Sequence, residues 1–177
     1  MKAHIRPAIA EDVKAIASIA AESPTAPQWS RKEFAAMLAA DETSPLLRRV
    51  LVAERGGEVA GFAVYTVLRS FFPPEAELES LAVGPMHRRL GLGKELLAAV
   101  NASVASFGAE WLLLEVRGSN TGAIALYHEA GFTQAGIRKD YYANPREDAV
   151  CMRYVFANPG DARVKGVSGE APIRPVS

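Results

Sequence analysis

The chain has 177 residues, 49% apolar and 23% charged, which suits one globular domain able to bury a core. Lys plus Arg and Asp plus Glu balance at 20 each, so no global field draws it to nucleic acid or a membrane surface, and any anion site must be local. Its single cysteine, Cys151, excludes an internal disulfide and a cysteine-built zinc cluster, and no apolar run approaches the roughly 18 residues of a membrane span.

The opening stretch, MKAHIRPAIAED, carries charges where a secretory signal needs an apolar run, so a cytoplasmic location is expected. Ile5 to Pro7 fits a short first strand. From Ala10 the pattern is helical, with Val13, Ile16, Ala17, Ile19 and Ala20 at three- and four-residue steps. Ser23-Pro24-Thr25-Ala26-Pro27 breaks it. Ser30 then reads as an N-cap with Glu33 as its capping-box partner, and Phe34, Met37 and Leu38 supply the apolar stripe.

Val50 to Glu54 and Val59 to Tyr65 are β-rich and flank Arg55-Gly56-Gly57-Glu58, a hairpin signal. Phe71-Phe72-Pro73-Pro74 cannot continue a central strand, because proline lacks the ladder donor. Leu78 to Val83 is the next strand. After a basic glycine turn comes a helix with Leu92, Leu96, Leu97, Val100, Val104 and Phe107 on one face, ended by Gly108. Trp111 to Val116 is nearly all apolar, the pattern of a strand buried on both faces, with Glu115 as the exception. Ser119-Asn120 opens a last helix that Gly131 closes, and strands near Ala135 to Tyr142 and Ala149 to Phe156 complete a domain over residues 1–157. Residues 158–177 carry Gly, Pro, Ser and isolated charges without periodicity, as in a flexible tail.

The middle is therefore a βαβ unit with a basic glycine turn before its helix. A helix start offers unpaired N–H groups and a positive dipole end, glycine lets a phosphate approach the backbone, and Arg88, Arg89 and Lys94 add charge. Two common phosphate loops do not fit. A P-loop requires glycine at Arg88 and Ser or Thr at Glu95, and the dinucleotide fingerprint requires glycine at Leu96. A solvated turn that merely caps a helix remains the plain alternative.

Residues Arg88 to Gly93 read R-x-x-G-x-G, which resembles the acetyl-CoA pyrophosphate loop of the GNAT (Gcn5-related) N-acetyltransferases. The resemblance extends through LESLAVGP, LLLEVRGSNTGAIALYHEAGF and RKDYYANPREDAVCM, and covers roughly residues 78 to 155. These blocks look like the RimI-like branch, which acetylates the N-terminal alanine of ribosomal protein S18 and other protein N-termini. The resemblance implies an α/β GNAT fold: a mixed sheet of about six to seven strands, about four flanking helices and a parallel βαβ core that binds acetyl-CoA.

It also implies site roles. Leu81, Ala82 and Val83 would present backbone groups to the acetyl-pantetheine arm. Arg88, Arg89, Leu90, Gly91, Leu92, Gly93 and Lys94 would hold the diphosphate, with Asn120 also on the cofactor. Glu115 would be the general base, through water, and Tyr127 the acid toward the CoA sulfur. Tyr141 and Tyr142 would line the mouth that receives a peptide N-terminus. Each has a structural alternative: Glu115 paired with Arg117, Tyr127 as core, the two tyrosines as ordinary strand aromatics. Glu79 is the rival base. Cys151 reads as packing in a buried strand, and His4, His87 and His128 lack metal-ligand spacing, so no metal is expected. Acetyl transfer to a lysine or small amine, or a CoA-binding module without turnover, are the competing functions.

Overall fold

The computed structural model describes residues 3–39 and 41–156; the expected tail, 158–177, and the expected domain end at residue 157 lie outside them. In chain order the elements are β1 (His4–Pro7), α1 (Val13–Ala21), α2 (Arg31–Leu38), β2 (Leu46–Arg55), β3 (Glu58–Leu68), β4 (Glu75–Val83), α3 (Leu92–Ser106), β5 (Trp111–Arg117), α4 (Thr121–Glu129), β6 (Thr133–Ala143) and β7 (Arg146–Val155). Short 3-10 turns precede α1 and follow β4. The strands form one sheet in the order β1-β2-β3-β4-β5-β7-β6, antiparallel except where β4 and β5 run parallel around α3. The expected mixed α/β architecture is present.

Local signals explain several boundaries. Ser30 Oγ accepts from Glu33 N at 3.3 Å while Glu33 Oε2 accepts from Ser30 N at 2.6 Å, so the capping box starts α2. Gly56 and Gly57 both have positive φ, +64° and +84°, the two-residue turn whose twist matches a hairpin. Asp12, 6% exposed, accepts from Arg6 Nη1 at 2.7 Å, Arg6 Nη2 at 3.0 Å and Ile9 N at 2.8 Å, while Arg6 Nε also donates to Glu54 at 2.9 Å. That cluster ties β1 and β2 to the start of α1.

The two sheet faces carry separate cores. Ile16, Ile19 and Ala20 of α1 and Phe34 and Met37 of α2 pack on Val50, Val52, Phe62 and Val64. On the opposite face Leu96, Leu97, Val100 and Val104 of α3 meet Tyr65, Val67, Leu112 and Leu114, with Tyr127 of α4 in the same cluster. β5 corrects the expectation of burial on both faces: Leu112, Leu114 and Val116 are buried, but Leu113 is 39% exposed and Glu115 is half-buried. The helices α1 and α2 cover β2 and β3 and leave the second face of β5 open. Cys151, expected in a buried strand, is likewise only half-buried, opposite Glu115 on β7.

One irregularity in β4 shapes the site. Ser80 pairs with Val64 and Leu78 with Tyr65, so Glu79 is an extra residue, a β-bulge. Before it, Ala76 and Leu78 face the α3 core. After it, Ala82 faces the α1–α2 core, and Leu81 and Val83 turn toward α3. The parallel ladder with β5 ends at this point: the last pair is Leu78 with Leu114, although β4 continues to Val83 and β5 to Arg117. A bulge bends its strand and increases its twist, so the two strands separate beyond it.

Candidate active site

The separation of β4 and β5 opens a cavity of about 830 Å³. Leu81, Ala82 and Val83 line it from β4, Glu115 and Arg117 from β5, the start of α3 closes one end, and Asn120 with Gly122, Ala123, Leu126 and Tyr127 of α4 lines one side. A wall absent from the sequence reading comes from Ser23 to Pro27, between α1 and α2. Gln28 braces this segment, donating to the carbonyls of Ala20, Ser23 and Ala26 at 3.3, 3.2 and 2.9 Å.

The glycine turn is organised as an anion cradle. The first bonds into α3 run from Lys94 and Glu95 N–H to Gly91 C=O, so the amides of Leu92 and Gly93 have no intrahelical partner. Gly91 has φ +83°, and a Cβ there would meet no atom within 4 Å, so the space beside that backbone is open. Gly93 serves a different purpose: a Cβ there would lie 3.1 Å from Leu126 Cδ2, so its absence lets α3 start against α4. Arg89 also adopts positive φ, +62°, which shapes the turn without a glycine. Arg88 Nε donates to Val83 O at 3.1 Å and joins the turn to the end of β4. Lys94 Nζ lies 2.5 Å from Glu129 Oε2, both well exposed; such a pair contributes little, so an arriving phosphate can compete for the lysine. These residues suit a diphosphate.

Of the residues singled out from sequence, all the others of the turn and β4 line the cavity, but Leu90 does not and is 47% exposed. Asn120 caps α4, with Oδ1 accepting from Ala123 N at 3.2 Å, and its Nδ2 donates to Thr25 Oγ1 at 3.4 Å. Tyr127 is 7% exposed and burial pushes its hydroxyl pKa up, so it keeps its proton at neutral pH.

Glu115 is paired, but not with Arg117. Its Oε1 accepts from Arg138 Nη1 on β6, whereas Arg117 pairs with Glu147 at 3.3 Å and donates to Asn144 O at 3.1 Å. The neighbouring Glu115 carboxylate, and after it burial, push the Tyr141 phenol up to about 12. Tyr142 lines the cavity, with Arg117 stacked 4.1 Å from its ring centroid and Tyr141 edge-on at 5.0 Å. Tyr141 does not line the cavity itself. Glu79, the rival base, lines it too; its Oε1 accepts from Arg48 at 2.8 Å, and its buried Oε2 has no partner among the described residues.

A bulge in β6 brings Arg138 and Tyr141 to Glu115. Arg138 pairs with Ala149 and Tyr142 with Glu147, so Lys139, Asp140 and Tyr141 all oppose Asp148. Asp140 takes φ +52°, and Asp148 holds the bulge by accepting from Lys139 Nζ at 2.6 Å and Asp140 N at 2.9 Å. The sequence reading missed Arg138. The available signal was the run of alternating charge in RKDYYANPRED, dense for a strand.

A model of the acetyltransferase (GNAT) family matches residues 13–132. The chain belongs to this family. The [ribosomal protein bS18]-alanine N-acetyltransferase of Escherichia coli strain K12 is 39% identical over 126 residues, which span 70% of this chain and 78% of the relative. The crystal structure of the ribosomal-protein-S18-alanine N-acetyltransferase from Escherichia coli superposes with a TM-score of 0.74 at 33% identity, over 92% of this chain and 99% of that one. The yncA protein of Salmonella typhimurium, solved with its cofactor acetyl-CoA, gives a TM-score of 0.75 at 26% identity, over 92% of this chain and all of that one (100%). As a GNAT protein with N-acetyltransferase relatives, the chain is an acetyl-CoA-dependent N-acetyltransferase.

Proposed function

We propose that this GNAT enzyme acetylates the N-terminal α-amine of a protein, by direct transfer from acetyl-CoA, with alanine of ribosomal protein S18 as the target that the Escherichia coli relative's name suggests. The reaction is placed in the cytoplasm. The observation that carries the reading is the Glu115 carboxylate at the cavity, with Tyr142 lining the same space and Tyr141 packed edge-on against that ring.

Acetyl-CoA supplies the activated thioester. In this reading the turn from Arg88 to Lys94 binds its diphosphate, and Leu81 to Val83, on the β4 edge that β5 leaves beyond Leu78, offer backbone groups to the pantetheine and acetyl carbonyl. Glu115, through a water, takes the proton that the substrate ammonium must lose, and the freed amine attacks the thioester carbonyl. The adduct collapses, the C–S bond breaks, Tyr127 offers its proton to the departing sulfur, and the second proton that the nitrogen sheds on becoming an amide restores Tyr127, while Glu115 passes its own to solvent. An α-amine has a pKa of about 7.7–8.0 against about 10.4 for lysine, so a carboxylate has far less to overcome at a chain terminus.

The test compares a peptide with a free N-terminal alanine and an internal lysine with its N-terminally blocked copy, both supplied with acetyl-CoA. Acetylation of the free peptide alone is expected. Equal acetylation of both would overturn the α-amine assignment in favour of lysine.

A further inference from the structure

The Glu115 carboxylate faces a permanent cation as well as the space where the proposed reaction brings a substrate amine. We infer that Arg138 is a positioning residue that offsets the pull of the Glu115 carboxylate on the substrate ammonium, so that the amine hands its proton on through the water and is not held as a tight ion pair. The inference rests on the amine-acetylation reading of the cavity.

Arg138 is held from two sides. Nη1 donates to Glu115, and the guanidinium carbon lies 4.5 Å from the ring centroid of Tyr141. Arg138 stands at the start of the β6 bulge and Tyr141 at its end, and the bulge is locked by Asp148 and by Arg146 on Asp140 at 2.7 and 2.8 Å. The Arg138 side chain is 39% exposed, against 20% for Glu115, so it stands on the solvent side of the carboxylate.

A lone carboxylate next to an amine favours the ammonium, because an opposite charge within about 4–6 Å stabilises the charged form. That would oppose the reaction, since only the neutral amine attacks. A guanidinium already on the carboxylate cancels most of that attraction, and arginine suits the role because it never gives up its proton at working pH. The neighbouring charges do not replace it. Glu77 and Glu79 on β4 add negative charge, and burial with Glu115 and Glu79 nearby pushes the Glu77 carboxyl up. Arg48 is committed to Glu79, and Arg117 to Glu147. Lys139 pairs with Asp148. Cys151, Tyr127, Tyr141 and Tyr142 have raised pKa values and stay neutral. Among the described residues, Arg138 is the cation paired with Glu115.

The experiment measures the single-turnover acetyl-transfer rate at saturating free-alanine peptide and acetyl-CoA, from pH 6 to 10, for wild type, Arg138→Gln and Arg138→Lys. Arg138→Gln is expected to move the acid limb up by about 1 pH unit or more, so that the rate falls about tenfold near pH 7 and recovers near pH 9, with an unchanged or lower KM. Arg138→Lys should keep the wild-type limb. A limb in Arg138→Gln that coincides with wild type, or a rate lowered equally at every pH, would overturn the inference by reducing Arg138 to a structural tie. Failure of the α-amine reading registers separately, as wild-type acetylation of the blocked peptide, and the pH comparison is then run on that lysine substrate.

Discussion

Gly91 and Gly93 stand two residues apart in one turn, yet alanine should fail at each for a different physical reason. At Gly91 the backbone has φ +83° with nothing within 4 Å of an added Cβ, so Gly91→Ala meets strain without a clash. A left-handed alanine costs about 1–2 kcal/mol. At about 2–4 °C per kcal/mol for a chain of this size, melting should fall by about 2–8 °C. At Gly93 the backbone is helical, and alanine gains about 1 kcal/mol in propensity. Its Cβ, however, would sit 3.1 Å from Leu126 Cδ2 and 3.7 Å from Leu81 Cδ2, so the Leu126 side chain or α3 must give by a few tenths of an ångström. Those terms offset, and melting should stay within about 2 °C of wild type. We expect α3 to give, which displaces the amides of Leu92 and Gly93. Partial loss of one charge-assisted bond to phosphate, worth about 1.5–3 kcal/mol whole, weakens CoA binding about five- to tenfold. Calorimetric titration with CoA and thermal melts of both variants provide the assay. Wild-type CoA affinity in Gly93→Ala, or wild-type stability in Gly91→Ala, would refute the cradle geometry.

Glu115→Gln should reduce turnover by roughly 10²–10⁴ with CoA affinity retained, and Tyr127→Phe should slow transfer with little change in KM; steady-state kinetics check both, and a severe Glu79→Gln beside a mild Glu115→Gln would transfer the base role to β4. Asp12→Asn should cost about 2–3 kcal/mol, or about 4–12 °C in melting temperature, because Arg6 would lose its bidentate partner while keeping Glu54. Hydrogen bonds from Arg6 hold the Asp12 carboxyl below its ordinary value, so its contribution is complete above about pH 4 and is lost as pH falls through the depressed folded value. Denaturant melts across that range should show the gap between variant and wild type closing toward low pH.

The sequence by itself determined what lies within one turn or one strand. The Ser30–Glu33 capping box, the Gly56–Gly57 hairpin turn, the basic turn before α3 and the Asn120 cap of α4 rest on bonds between residues at most a few positions apart, so the residue types alone announce them. The family was legible for the same reason, since the motif R-x-x-G-x-G and its flanks are contiguous. Tertiary structure decided whatever depends on which strands become neighbours. Nothing local places β7 between β5 and β6, and that order sets Cys151 of β7 opposite Glu115 and β6 one strand beyond it. The bulge at Glu79 is a mismatch of register between two strands, invisible in either one, yet it opens the cavity and reverses which side chains meet α3. β5 is apolar enough for burial on both faces, but the placement of α1 and α2 leaves one face free. Glu115 likewise had an adjacent candidate partner in Arg117. The fold instead sent Arg117 to Glu147 and brought Arg138 from a strand 23 residues away, because a bulge in β6 aims it there.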